Sequence, residues 1–485
     1  MNASRGGAAE FRSQVRSAVI WRSGSQVVGQ LVQWAATFLV LRILAPSDYG
    51  LYAMAAVVQT LLGLLNGFGL ANALVQRKRV THFELRQLFG MLLVVNGALA
   101  AAQFLAAPLV AQWYGEPQVT AILRVLAIGY LANPFLALGY AVLAREMDFR
   151  RQAKVNIFAA VAGALAALGG ALAGLGVWTL VLAPLVVFAI RGLGMAIAAR
   201  ALLWPSFDFR GTRHMAGYGG TVTLSTMLYF AQTQSDVVIA GRAVDAHTLG
   251  LYTTALFLAQ LFVNKVVPPL NEVAFTAYAR MQDDRAGFAN GFLTAVRAIM
   301  LVSIPFCLGL SVTADPLVHV VLGEKWLGVG PYLQLIALAI PFMTLQVLFA
   351  PATNALDRPG IAARSSAFGA VLMPLAFLTG IQWGVIGMAA AWLVAYPMMT
   401  LATARWSLPV IGVAWRDLGK ALAPPVLAGI AMAAGVLAVD YQTNALAPLP
   451  RLALLVTVGA AIYLGGLAVF AADRLRELVA FVRHR

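Results

Sequence analysis

Leu41-Arg42-Ile43-Leu44-Ala45-Pro46-Ser47-Asp48-Tyr49-Gly50-Leu51-Tyr52 decides the reading of this chain, because its key positions recur. Arg42 precedes Gly50-Leu51-Tyr52 at the same spacing by which Arg242 precedes Gly250-Leu251-Tyr252. Each copy falls in a short break between long apolar runs, where one membrane helix hands over to the next. A helical half repeated within the bilayer is how transporters build two walls around one central path. Chance or shared packing needs would also produce a match this short, so the rest of the chain has to carry the case.

The chain has 485 residues, of which 61% are hydrophobic and 11% charged. Its mean hydropathy is +0.81. Soluble domains carry about 25% charged residues, so no soluble fold fits this balance. The apolar runs extend from Val15 to Ala472 with short interruptions, and about 14 of them reach the roughly 20 residues that a span needs. No gap is long enough for a folded soluble domain. The polar, basic N-terminal segment lacks a small-residue cleavage site after a short apolar core, so the first run reads as a span and not as a removable signal.

The expected fold class is an all-α polytopic membrane protein, with two pseudo-symmetric six-helix halves and a two-helix C-terminal extension. The expected boundaries are a cytoplasmic segment 1–16, a first half 17–203, a cytoplasmic linker 204–213, a second half 214–407, helices 13 and 14 over 408–472, and a cytoplasmic amphipathic tail 473–485. Cys307 is the only cysteine, so it has no disulfide partner within the chain and reads as a small buried apolar residue. The histidines His82, His214, His247, His319 and His484 are scattered singly and form no H-E-x-x-H, so no metal or cofactor site is expected.

A net charge of +15 invites a nucleic-acid partner, but the positions of the charges point elsewhere. With the N-terminus in the cytoplasm and helices alternating, the cytoplasmic segments collect most of the basic residues. Those are Arg5, Arg12, Arg16, Arg77, Lys78, Arg79, Arg145, Arg150, Arg151, Lys154, Arg200, Arg210 and Arg213 in the first half. Arg280, Arg285, Arg358, Arg364, Arg405, Arg416, Lys420, Arg474, Arg476, Arg483 and Arg485 continue the series. The opposite loops hold only Arg42, Arg124, Arg242, Lys325 and Arg451. This is the positive-inside pattern; it places both termini in the cytoplasm and accounts for the basicity without nucleic acid. The tail sets Leu475, Leu478, Val479 and Val482 on one face, as a helix lying on the inner membrane surface does.

Inside the helices, polar residues fall in stripes. The first helix carries Arg22, Gln26, Gln30 and Gln33 on one face, and the second carries Gln59 and Asn66. Their counterparts six helices later carry Thr221, Ser225, Tyr229, Gln232 and Asp236, then Gln260, Asn264, Lys265, Asn271 and Glu272. Asn96, Gln103, Asn133 and Arg297 add to the set. Amides often glue helices together. A full charge within the bilayer is different: it costs about 2.5–3.5 kcal/mol on insertion scales and usually marks a wet cavity or a partner. Of the charges well inside helices, Arg22, Arg191, Lys265 and Arg297 are basic, while Asp236 and Glu272 are acidic. An arginine fork matches phosphate oxygens, and amides suit sugar hydroxyls. The expected substrate-binding set is therefore Arg22, Gln26, Gln30, Gln59, Gln232, Lys265 and Arg297, and the cargo a phosphate-bearing, hydroxyl-rich amphiphile. Asp236 and Glu272 are the candidates for a coupled ion; Asp236 has a second reading, as an ion-pair partner of Arg242.

At this point the chain resembles a known family. Leu41 to Tyr52, followed by Gly67-Phe68-Gly69-Leu70 and Ala73-Leu74-Val75-Gln76, is similar to the first helix pair of Wzx-type polysaccharide flippases. Arg145-Glu146-Met147-Asp148-Phe149-Arg150 and Gly176-Val177-Trp178 resemble their fourth-to-sixth helix region, and Ser235 to Arg242 with Gly250-Leu251-Tyr252 their seventh-to-eighth. These belong to the multidrug/oligosaccharidyl-lipid/polysaccharide exporter superfamily. The resemblance implies movement of an undecaprenyl-pyrophosphate-linked oligosaccharide between leaflets of a bacterial inner membrane, for O-antigen, capsule or exopolysaccharide assembly. It further implies coupling to H+ or Na+, and a polysaccharide polymerase and a chain-length regulator as partners. A multidrug or cation antiporter would need an acidic ion site in the first half, where the first helix has no Asp or Glu. A flippase for the peptidoglycan lipid precursor is a second alternative. A membrane enzyme such as a polymerase or acyltransferase would need clustered carboxylates or histidines in a long loop; Asp283-Asp284 is the only adjacent acidic pair in the loops. The chain therefore reads as a transporter and not as an enzyme.

Overall fold

The computed structural model describes residues 24, 29–66, 80–209 and 219–470, and these are helical with short connections. Helix α1 spans 29–43. It is followed by α2 (Pro46–Gly63), α3 (His82–Tyr114), α4 (Gln118–Ala127), α5 (Gly129–Arg145), α6 (Phe149–Leu172) and α7 (Val177–Ala198). The second series is α8 (Gly219–Ala243), α9 (Ala246–Ala279), α10 (Arg285–Val312), a short α11 (Ala314–Val321), α12 (Val329–Ala355), α13 (Pro359–Gly380) and α14 (Gly384–Ile411). Two more, α15 (Trp415–Gln442) and α16 (Pro448–Phe470), close the described chain. With α4 and α5, broken only at Ile128, counted as one span and the short α11 set aside, the helices number 14, as the hydropathy reading expects. Among the described residues, ten stretches are long and apolar enough to cross a membrane, and one of them, Pro359–Ile411, contains both α13 and α14. This is a multi-pass membrane protein.

Local chemistry fixes where the helices begin and end. In the opening motif, Pro46 supplies the first helical residue of α2, and Asp48 reaches back so that the Ala45 amide donates to its Oδ2 at 2.9 Å. Thr81 and Glu84 cap α3 reciprocally, and Gly115, at φ +75°, ends it. Asp148 caps α6 and Asp284 caps α10 through backbone amides at 3.0 and 2.9 Å.

The chain forms two compact units: Met1–Met227 with Asp245–His247, and Leu228–Val244 with Thr248–Arg485. In the N-terminal unit α7 lies between α6 and α5, and α3 packs on α4 and α5. Small residues set these seams: a Cβ on Gly139 would strike the Met195 backbone, and one on Gly192 the Ala132 carbonyl at 2.7 Å. The glycine of the opening motif has the same role, since a Cβ on Gly50 would collide with the carbonyl of Ala246. In the C-terminal unit α14 lies between α12 and α13, and α10 packs on α12. The extension docks on α10 through α15, and the Tyr463 hydroxyl of α16 donates to the Leu301 carbonyl at 2.8 Å. Arg451 grips Asp440 with two hydrogen bonds of 2.7 and 2.9 Å, tying α16 to α15. Arg22, Gln26 and the 473–485 tail lie outside the described residues.

Candidate functional site

The α8 stripe carries the most developed polar site in the C-terminal unit. Gln232 and Asp236, one helical turn apart, are both buried, while Tyr229 one turn earlier is exposed. Gln232 fits because α13 offers a glycine there: a Cβ on Gly369 would sit 2.8 Å from the Gln232 side chain. Asp236 Oδ2 accepts the Tyr252 hydroxyl proton at 3.2 Å, and that hydroxyl accepts the Trp392 indole N–H at 2.8 Å. Trp392 and Tyr396 stack at 5.1 Å with an 8° interplanar angle, and Phe377 closes against Trp392 at 5.5 Å. Thus α8, α9 and α14 enclose a carboxylate in aromatic surface.

Asp236 Oδ1 and Gln232 Oε1 make no hydrogen bond among the described residues, and neither does the neighbouring Ser235 hydroxyl. Leaving a polar atom unpaired in an apolar site costs about 1–3 kcal/mol, and more for a charged group. The arrangement is a relay of fixed direction. Tryptophan can only donate, tyrosine accepts and passes on a hydrogen bond, and the carboxylate receives it with one oxygen left for a proton or a cation. The expectation that Asp236 pairs with Arg242 is overturned, because Tyr252 holds it instead. The reason is helical geometry: the two are neither three nor four residues apart and do not share a face.

Two arginines stand out by what they lack. Arg297 on α10 and Arg191 on α7 are partly buried, and the Nε of each is shut away with no hydrogen-bond partner. Neither forms an ion pair among the described residues. Arg191 was legible only as a charge within an apolar run. In the structure, Gly194 abuts Val155 and Gly163 abuts Val187, and this register places Arg191 on the α6-facing side of α7. The Asn156 Oδ1 is likewise buried without a partner.

The other expected residues divide between the units. Gln30 on α1 and Gln59 on α2 are partly buried in the N-terminal unit. Lys265 on α9 belongs to the C-terminal unit, is exposed and has an interaction partner. Glu272 lies on α9, with its side chain outside the described residues. The amides Asn96, Asn133 and Gln103 act as glue. The Asn96 Nδ2 donates to the carbonyls of Leu92 and Asn66 at 2.8 and 3.1 Å, and Asn133 donates to Asn96 Oδ1 at 3.2 Å. Gln103 donates to the Leu123 carbonyl at 2.7 Å. So the structure joins Gln232 and Asp236 in one site, and among the described residues it leaves Arg191 and Arg297 without an ion-pair partner. Among the described residues no cluster of three or more His, Cys, Asp and Glu is placed to hold a metal.

Comparison with known proteins adds a family and a fold. Residues 39–331 match the family described as "Polysaccharide biosynthesis protein". The lipopolysaccharide biosynthesis protein WzxC of Escherichia coli strain K12 is 24% identical over 383 residues, covering 78% of each chain. The succinoglycan biosynthesis transport protein ExoT of Rhizobium meliloti strain 1021 is 24% identical over 368 residues, 76% of this chain and 74% of that one. Among solved structures, the lipid II flippase MurJ in its inward closed conformation matches with a TM-score of 0.76 at 14% identity, over 94% of this chain and 100% of that one. The last likeness fixes the fold alone.

Proposed function

Because this chain belongs to the family of polysaccharide biosynthesis proteins, we propose that it flips an undecaprenyl-pyrophosphate-linked oligosaccharide from the cytoplasmic to the periplasmic leaflet of a bacterial inner membrane. The product feeds O-antigen, capsule or exopolysaccharide assembly, with a polysaccharide polymerase and a chain-length regulator downstream. Both termini lie in the cytoplasm, in keeping with the distribution of basic residues. ExoT is named a succinoglycan biosynthesis transport protein and WzxC a lipopolysaccharide biosynthesis protein, which favours a polysaccharide precursor over the lipid II named for MurJ.

One observation carries this reading at the level of residues: Arg191 and Arg297 are cations within helices apolar enough to span a membrane, and neither has an ion-pair partner among the described residues. A charge kept in the bilayer without a partner is retained for something that visits. The planar fork of arginine binds phosphate through two parallel hydrogen bonds, and a pyrophosphate offers two such sites. Arg297 and Arg191 each offer a fork to phosphate oxygens, Arg22 and Lys265 add positive charge, and Gln26, Gln30, Gln59 and Gln232 suit sugar hydroxyls. Transport proceeds by alternating access while the polyprenyl tail stays in lipid. Asp236 carries the coupled ion, H+ or Na+; Glu272 is the second acidic candidate.

The test is leaflet exchange of a fluorescent polyprenyl-pyrophosphate sugar in proteoliposomes, followed by quenching of the exposed leaflet. The wild type exchanges the lipid. Arg297→Gln and Arg191→Gln each slow exchange about thirtyfold at limiting lipid, the worth of a charge-assisted hydrogen bond of roughly 2 kcal/mol. The reading fails if the lipid does not change leaflet, or if both variants exchange it at the wild-type rate.

A further inference from the structure

A groove of about 420 Å³ opens along the seam between α6 and α7, lined by Lys154, Val155, Phe158, Ile190, Leu193 and Gly194. Its volume falls within the roughly 300–1,000 Å³ of small-molecule sites. Its origin is the Gly194 contact: without a side chain there, α7 closes onto Val155 and leaves a channel beside the point of contact. Both helices are apolar enough to span the membrane, and Phe158 and Leu193 on the groove walls stand 66% and 56% exposed. The groove therefore faces hydrocarbon, and an acyl chain is the occupant its walls suit.

Lys154 changes that from a generic lipid contact to a selective one. It sits one turn before Phe158, at the end of the groove nearest the start of α6. Arg145, Arg150, Arg151 and Arg200 cluster at the same helix ends. Three of these arginines are already engaged, and among the described residues Arg200 is not. Arg151 pairs with Asp148 at 3.2 Å and donates to the Ala198 carbonyl at 3.3 Å, and Arg145 and Arg150 have partners of their own. Asp148 is in turn occupied by Arg151 and by capping α6. Lys154 has no hydrogen bond or ion pair among the described residues. An uncommitted ammonium at the mouth of an apolar channel, within a basic helix end, is the complement of an anionic phosphate joined to a fatty chain.

We propose that the α6–α7 groove is a binding site for an anionic glycerophospholipid, with the headgroup phosphate on Lys154 and one acyl chain along Phe158, Ile190 and Leu193. The groove runs beside Arg191, since Ile190 and Gly194 of its lining flank that residue on α7, so the undecaprenyl phosphate arm of the test separates this site from the cargo reading.

The test uses the full-length protein, delipidated in detergent and titrated with phosphatidylglycerol, phosphatidylcholine or undecaprenyl phosphate, with bound lipid counted by native mass spectrometry. The wild type retains one phosphatidylglycerol in preference to phosphatidylcholine. Lys154→Gln lowers that preference about fivefold, the worth of one lysine near an anionic lipid, and Lys154→Arg keeps it. Leu193→Trp, which fills the groove from its outer wall, loses the tightly held lipid of either kind while its thermal unfolding stays near wild type. Equal retention of the two phospholipids by the wild type, or an unchanged preference in Lys154→Gln, overturns the proposal. Undecaprenyl phosphate displacing phosphatidylglycerol at equal concentration also overturns it, by making the groove a cargo site.

Discussion

The two copies of the opening motif share a frame and differ in what they hold. The offset that lays Gly50-Leu51-Tyr52 on Gly250-Leu251-Tyr252 lays Ala45 and Asp48 on Asp245 and Thr248, and Ala36 on Asp236. At the start of the helix each copy keeps one carboxylate, on opposite members of the pair. In the first copy it is Asp48 that reaches back to the Ala45 amide. In the second, Asp245 occupies the capping position itself, where a short polar side chain is favoured. Deeper in the helix pair the symmetry stops. Tyr252 lies between Trp392 and Asp236, whereas Ala36 has no acceptor to offer Tyr52. Duplication supplied the scaffold twice, and the acidic chemistry was placed in one half only. An ion that is to drive movement in one direction needs such asymmetry, since two equal sites would bias neither half.

The comparison breaks most visibly at Asp236. In proteoliposomes with an imposed proton or sodium gradient, Asp236→Asn should lower gradient-driven flipping about 100-fold, toward the upper end of ordinary coupling free energies. Exchange without a gradient should persist, because the arginines are untouched. Equal loss of both activities would mean that the carboxylate supports structure or cargo and not coupling. Ala36→Asp should not transfer coupling to the first half, as the polar groups that receive Asp236 come from elements outside the copied motif.

That last point explains what the sequence made legible and what it did not. Hydropathy is a local property, so the 14 helices and the repeat could be read from single runs of residues. The α8 stripe could be read too, because a spacing of four needs only helical periodicity. The partners of Asp236 could not. Tyr252 comes from the next helix and Trp392 from α14, and only packing brings them together. Gly369 gives no signal by itself, yet its missing side chain is what admits Gln232. Arg191 was visible as a charge, but its isolation became visible only once every neighbour had been placed. Asn96 and Gln103 show the converse: in sequence they look like cavity residues, and in structure their donors are spent on backbone carbonyls.

A sharper and smaller effect separates the two tyrosines. Tyr252→Phe removes the hydroxyl that both accepts from Trp392 and donates to Asp236, leaving a buried N–H and a buried carboxylate oxygen unpaired. Thermal or denaturant unfolding of the purified protein should show a loss of about 2 kcal/mol. Tyr52→Phe should cost under about 0.5 kcal/mol, the range of substitutions that break no buried network. Similar losses in both variants would mean that the pair of tyrosines is a packing feature of the repeat, with no special place for the relay.

The smallest effect tests the caps, where the two copies reach one end by different means. Asp48→Ala removes the side chain that accepts the Ala45 amide and should destabilise the protein by about 1 kcal/mol, as lost helix caps do. Pro46 limits the damage, because its fixed φ still starts the helix. The second copy has Ala246 where the first has Pro46, so Asp245→Ala should cost more than Asp48→Ala. Installing proline there should narrow the gap: Ala246→Pro combined with Asp245→Ala should recover part of the lost stability. Recovery requires that the first helical position be free of a hydrogen-bonded amide, which its place at the helix start provides. If Asp48→Ala costs more, the carboxylate of the first copy does something beyond capping. The nearest candidate for that role is Gly176, whose backbone at φ +54° brings the turn before α7 against the Asp48 carboxylate.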